Sequence, residues 1–496
     1  MLRWLIILAM CAAALQGVDH FVLHDRLRAL ASARMGPVTD WVRAKLHLPA
    51  DGAAGQAGTP PATGEQKAAA ASASKAQGPS AATAARKETV APEQLAATKE
   101  QLRNEILAAA NVHVIHLASG KVINGTVEAE TADYVTVRQQ IGSSGWFSRK
   151  FPKGQVTSVD LAMKDAPQIT DEDALIKIEF PTFQLVKEGP VSFFTDQDSM
   201  VIKDLVDMLA RLRGQLTSTF GPLMQGHPLT PGYVLVFSTE QMYRHYTEGM
   251  ASHAQNAVGL FIPSLDRLVV FNFFGSGLYQ AVDAGREMAG RDLRQQREAV
   301  GQSDAKGQPG TRHYVEQLDA AQQLIGSVGA RVGLAAKSMN FMVIRHEGTH
   351  QFFHALGLDE KPMGRQLWLL EGLATYAETP SVGERTNEQR LPIIKDLVNR
   401  HAHRQLRELI QQDDLFTSGD MAHGLAGYAE GWSLVYYLMN SDYRGRFFDY
   451  LGAILAMPSD EKAEVSPAER LAFFERHLGV SMTALESQWA KFIQTL

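Results

Sequence analysis

Cysteine is almost absent: Cys11 is the one such residue in 496. That excludes an internal disulfide framework and any zinc site built on thiolates. Dense Lys/Arg runs are missing too. With 48 basic residues against 54 acidic ones, a net charge of −6 and no basic stripe interleaved with aromatics, the chain carries no nucleic-acid footprint. The apolar run Trp4 to Leu15 follows a single positive charge at Arg3 and is too short to span a bilayer comfortably. It reads as an export signal with a small-x-small option at Ala12 and Ala14. Because Val18, Phe21, Val22, Leu27 and Leu30 continue an amphipathic segment, an uncleaved anchor over residues 1–30 stays open beside it. Either way the chain is expected outside the cytosol, periplasmic or held to the membrane. Between Leu48 and Leu95 the only aliphatic or aromatic side chain larger than alanine is Val90. Such a stretch cannot bury enough apolar surface to offset its ordering entropy, so residues 49–92 are expected to be a disordered Ala/Gly/Ser/Pro-rich tether.

What the chain does contain is concentrated in Phe341 to Glu378. Here His346-Glu347-Gly348-Thr349-His350 sits in a stretch where Met339, Met342, Val343, Phe352, Phe353 and Leu356 recur at helical spacing and Gly357 closes the helix. Residues four apart share a helix face, so His346 and His350 can offer two imidazole nitrogens to one metal ion, with Glu347 beside it. A catalytic zinc normally takes three protein ligands and leaves a position to water. Glu371, after twenty intervening residues, is the candidate for the third.

Elsewhere the patterns are coarser. Five short alternating runs in 111–163 suggest a small closed β-barrel. A helix through Val201 to Phe220, a buried strand at Tyr233 to Phe237, a capping box at Ser238 to Gln241 and a hairpin over Val258 to Phe274 make the next region mixed α and β. Residues 279–330 form a polar, helix-rich insertion, read either as a gate on the site or as solvated padding. Beyond Glu378 the pattern is helical to the end.

His346-Glu347-x-x-His350 with Glu371 resembles the gluzincin branch of zinc metallopeptidases, the peptidase-MA-like superfamily. Trp368-Leu-Leu-Glu-Gly-Leu-Ala-Thr-Tyr-Ala-Glu378 is similar to the corresponding helix of the gluzincin aminopeptidases. The region from Ile176 also resembles an uncharacterised family of exported bacterial proteins with the same two motifs. The run Leu117 to Val127 is similar to the bent first hairpin of SH3-like or Sm-like barrels. The resemblance implies an α+β fold: a zincin-like domain over 174–496, with a mixed upper lobe and a helical lower lobe, preceded by the barrel and the tether. It implies that the last strand of the mixed lobe borders the cleft, which would make Leu268 to Phe273 a docking strand for an extended peptide.

For chemistry it implies zinc held by His346, His350 and Glu371, with Glu347 as general base and peptide or protein as substrate. Tyr428 is the expected oxyanion donor, with His423 second. No segment resembles the one with which gluzincin aminopeptidases grip a free amino terminus, so an endopeptidase is expected. Thermolysin-like enzymes carry an orienting acid four residues after the third ligand, where this chain has Thr375. Glu378, seven residues on, is the alternative partner behind a ligating histidine. Two other functions stay open: an envelope binding protein with a structural metal whose barrel recruits a partner, and a zinc hydrolase of a non-peptide substrate.

Overall fold

A computed structural model describes residues 90–109, 113–141, 145–161, 168–226, 229–248, 257–304, 311–383, 386–417, 421–460 and 462–496. The leader over 1–30 and the tether up to residue 89 lie outside the described residues. Among those described, no helix is long and apolar enough to cross a membrane. The fold class is α+β.

Helix α1 (Pro92–Ala109) is followed by β1 (His113–Leu117), β2 (Val122–Glu130), β3 (Tyr134–Ile141), β4 (Gly145–Pro152) and β5 (Val156–Leu161). These strands form one sheet in the order β4-β3-β2-β1-β5 around Ile115, Ile123, Val135, Val137 and Phe151. A register shift between Val127 and Ala129 bends β2, and among the described residues no pairing joins β4 to β5. The sheet is therefore open where the sequence suggested a closed barrel. Helix α1 packs elsewhere: Leu102 and Ile106 enter the core of the following α/β layer, where Glu105 accepts from Lys177 at 2.9 Å.

That layer holds α2 (Asp171–Glu179), β6 (Gln184–Glu188), β7 (Val191–Thr195), α3 (Ser199–Phe220), β8 (Gly232–Phe237), α4 (Glu240–Thr247), β9 (Gly259–Ile262) and β10 (Arg267–Phe271). Strand order is β6-β7-β8-β10-β9, with β7, β8 and β10 parallel and the two edges antiparallel. Because side chains alternate along a strand, Val234 and Val236 face α3 on one side while Tyr233, Leu235 and Phe237 face α1, α2 and α4 on the other. Helix α4 starts from Thr239, whose hydroxyl accepts from the Met242 N–H at 3.3 Å; Ser238, expected to cap it, instead donates to Asp196.

Helix α5 (Gly277–Asp304) and the 45-residue α6 (Thr311–Ala355) follow. The insertion and the metal helix are thus one hairpin, and α6 is far longer than the apolar spacing implied. Its amino-terminal half packs on α5 through Val315, Leu318 and Ile325 against Leu293 and Val300, and Gly329 passes close to Arg286, where a Cβ would lie 2.7 Å from Cδ. That stripe is narrow among polar residues, so it marks a helix without showing that it runs on into the metal helix.

The remainder is helical: α7 (Leu367–Tyr376), α8 (Leu391–Asn399), α9 (Leu406–Gln411), α10 (Asp414–Thr417), α11 (Met421–Met439), α12 (Arg444–Leu455), α13 (Pro467–Leu478) and α14 (Met482–Thr495). It packs around Trp368, Trp432, Tyr450, Phe474 and Trp489, each fully buried, and its core is continuous with that between α3, α6 and the sheet.

Candidate metal centre

The site forms where α6 crosses α7. On α6, His346 and His350 lie one turn apart with their Nε2 atoms 3.3 Å from each other. On α7, Glu371 places Oε2 at 3.1 Å from His346 Nε2 and 3.5 Å from His350 Nε2. The three form the one His/Asp/Glu/Cys cluster able to hold a metal ion among the described residues. The edge of a tetrahedron with zinc-to-nitrogen bonds of 2.0–2.1 Å is about 3.3 Å, so this triangle has the dimensions of three corners of a zinc site. The donor set, two imidazoles and a carboxylate, suits the same ion.

The field at the triangle also suits a cation. Burial alone would push the His346 imidazole down; hydrogen bonds with Glu371 and Glu378 reverse this and carry it up to about 10. Burial alone would raise Glu371, yet the charges and hydrogen bonds of the two histidines hold it well below the usual carboxylate range. The pocket strongly stabilises positive charge at its centre.

His346 is braced from behind. His346 Nδ1 lies 2.9 Å from Glu378 Oε1, which assigns the proton of a neutral ring to Nδ1 and turns the Nε2 lone pair toward Glu371 and His350. Glu378 is not on the helical face that a seven-residue interval suggests. Helix α7 ends at Tyr376, and an i→i+3 bond from the Glu378 N–H to Thr375 O, at 3.3 Å, curls the chain back under His346. Thr375 itself donates to Glu371 O at 2.6 Å. Arg345, with 2% of its surface exposed, donates to Ala377 O at 2.6 Å and to Gln215 Oε1 at 2.9 Å, tying α6 to this turn and to α3. The first residue of α7 has its N–H capped from a distance by Asp413 at 3.0 Å, and Asp413 is held by Arg470 at 2.7 Å.

Glu347 faces the sheet. Its Oε2 accepts from the Phe261 N–H of β9 at 2.8 Å. The approach is possible because residue 259 is glycine: a Cβ there would lie 2.3 Å from Val343 Cγ1 and 3.3 Å from Glu347 Cγ. The strand beside the site is thus β9. The sequence reading had assigned that place to Leu268–Phe273, but β10 is paired on both sides and wholly buried. A uniformly apolar strand reads the same at an edge and in the middle of a sheet, which is why the two were exchanged.

Tyr428 stands on α11, which meets α7 so closely that a Cβ on Gly372 would be 2.7 Å from Gly431 O. Its ring lies edge-on to His346, with centroids 5.8 Å apart. The charge of Glu371, then burial, then Glu347 push its phenol up, so it stays a hydrogen-bond donor. His423, the second choice, is exposed at the start of α11. His354 lies outside the triangle, with Nδ1 bonded at 2.9 Å to Asp359.

Residues 340–458 match a family model described as a protein of unknown function (DUF1570). The match spans every residue of the triangle with Glu347, Glu378 and Tyr428, and stops short of the sheet and of the amino-terminal elements. No curated protein and no solved structure matches the chain.

Two residues of the centre left no mark in the sequence reading. Asn387 and Arg390, in a polar loop without periodicity, both bind Glu378. The available signal was the pairing of an Asn with an Arg three residues on just after Glu378, and one sequence alone gives it no weight.

Proposed function

We propose that the chain is a zinc-dependent metallopeptidase of gluzincin type, an endopeptidase exported or tethered at the membrane, with a zincin-like domain over 174–496. The observation that carries this reading is the triangle of His346, His350 and Glu371 donors at 3.1, 3.3 and 3.5 Å, with Glu347 beside it. An SH3-like origin for the open amino-terminal sheet agrees with its strand order and with the bend in β2.

Bound there, zinc would supply a Lewis acid that activates water and polarises a carbonyl. The residues supply the rest. Glu347, with Oε2 anchored on Phe261, offers Oε1 to take a proton from the attacking water and return it to the leaving nitrogen. Tyr428 keeps its proton and donates to the oxygen on which negative charge develops. His346 is kept in one tautomer and one orientation by Glu378. Strand β9, the antiparallel edge of the sheet next to Glu347, would border a bound substrate.

Glu347→Gln keeps the hydrogen-bond acceptor for Phe261 but removes the base. The variant is expected to hold zinc as tightly as the parent and to lose at least 100-fold in turnover. Proteome cleavage profiles of parent and variant check this: cleavages shared by both would refute the role of Glu347, and a parent that cleaves no peptide bond would refute the peptidase reading.

A further inference from the structure

Behind Glu378 runs a turn built on Asn387 and Arg390. Asn387 Oδ1 accepts from the N–H groups of Gln389 at 3.0 Å and Arg390 at 3.2 Å, fixing the backbone from which Arg390 departs. Asn387 Nδ2 donates to Glu378 Oε2 at 2.8 Å. Arg390 adds a fork, Nε to Oε2 at 3.2 Å and Nη2 to Oε1 at 2.9 Å. A glutamate's terminal torsion is broad, so a carboxylate with one partner rotates freely. Three N–H donors hold that of Glu378 in the one plane that aims Oε1 at His346 Nδ1. The same guanidinium, on a buried residue, lies over the ring of Tyr428 with Cζ 5.3 Å from the centroid.

We propose that Arg390 is a positioning residue for the metal centre, acting on His346 through Glu378 and on Tyr428 through its ring face. The proposal rests on the zinc-hydrolase reading of the site. It identifies one group that sets both a ligand and the oxyanion donor, which otherwise stand on different helices. Arginine is required because the task needs a planar fork and a stacking surface together; lysine keeps the charge and loses both.

The test uses the full chain with zinc alone as the probe, its affinity read by competition with a chromogenic chelator. Arg390→Met is expected to weaken zinc about tenfold, the lower range for losing a partner behind a ligand, and Arg390→Lys to recover part of the loss. In a Glu378→Gln background the same Arg390→Met change is expected to cost less than threefold, because its route to His346 is already cut. At saturating zinc, Arg390→Met is expected to lower kcat with KM unchanged, and to add nothing to Tyr428→Phe. Equal losses with and without Glu378 would mark Arg390 as general packing and overturn the proposal. So would parent-like zinc affinity in Arg390→Met or, if that variant does not fold, in Arg390→Lys. A parent that takes up no zinc removes the function reading and this proposal with it, whereas tight zinc in parent and variants alike removes this proposal alone.

Discussion

A half-buried phenol beside two carboxylates keeps its proton and so offers a hydrogen bond. Tyr428 is kept protonated by Glu371 and by burial, while Arg390 holds its ring from the other side. Tyr428→Phe therefore removes a donor and leaves the ligand triangle untouched. Turnover is expected to fall about 100-fold, the low end for losing an oxyanion donor, with zinc affinity changed less than twofold; steady-state kinetics beside chelator competition decide it. At this scale much was legible. The meeting of His346 and His350 was legible from their four-residue helical interval, and Glu371 joins them from a second helix as its motif suggested. Glu378 was half readable, since its chemistry suited the task but its path to His346 runs through a tight turn rather than along a helix. Arg390 was not, because a side chain that works through another obeys no spacing rule.

Among the elements, α11 carries a second buried carboxyl with a different fate. Glu430, 2% exposed, accepts from the Arg404 N–H at 2.7 Å, and burial pushes it up to about 7 despite that bond. The folded protein holds this proton up to about pH 7, whereas the unfolded chain releases it near the ordinary glutamate value of 4.5. Stability at this site is thus fully present below about pH 4.5 and is lost as pH rises toward 7. Glu430→Gln keeps the acceptor without the charge. It is expected to stabilise the fold by on the order of 2 kcal/mol at pH 8 and to change little at pH 5, as read from thermal melts at both values. Elements differed in legibility for physical reasons. Helix α3 announced itself by its apolar period, whereas the amino-terminal half of α6 buries only the narrow stripe Val315, Leu318 and Ile325 against α5, which signals a helix without its extent.

For the whole molecule, the ligands are shared between a helix that packs on the sheet and one that belongs to the helical bundle, and a single core joins the two. An ion held at that junction would bind the folded state and scarcely the unfolded one, so it would stabilise everything the core connects. Removing zinc with a chelator is expected to lower the melting temperature of the whole α/β-plus-helical unit in one step. At zinc a thousandfold above its dissociation constant the loss is about 4 kcal/mol, and calorimetry with and without chelator measures it. Two separate transitions, with only one responding to zinc, would contradict the shared core. The α+β class and the succession from mixed to helical regions were legible from hydrophobic periods. The packing of α1 on the second sheet was not, because an amphipathic stripe says that a face is covered and not by what.

The short edge strand has a consequence for solubility. An unpaired sheet edge invites strands from other copies and so starts aggregation. In β9 the outward register runs through residues 259, 261 and 263. Pro263 has no N–H to give, and the N–H of Phe261 already belongs to Glu347. Among the described residues no further strand pairs with this edge, and two of its three outward positions have no N–H to offer another strand. A strand from another copy would find few donors there, so this edge is a poor template for larger sheets.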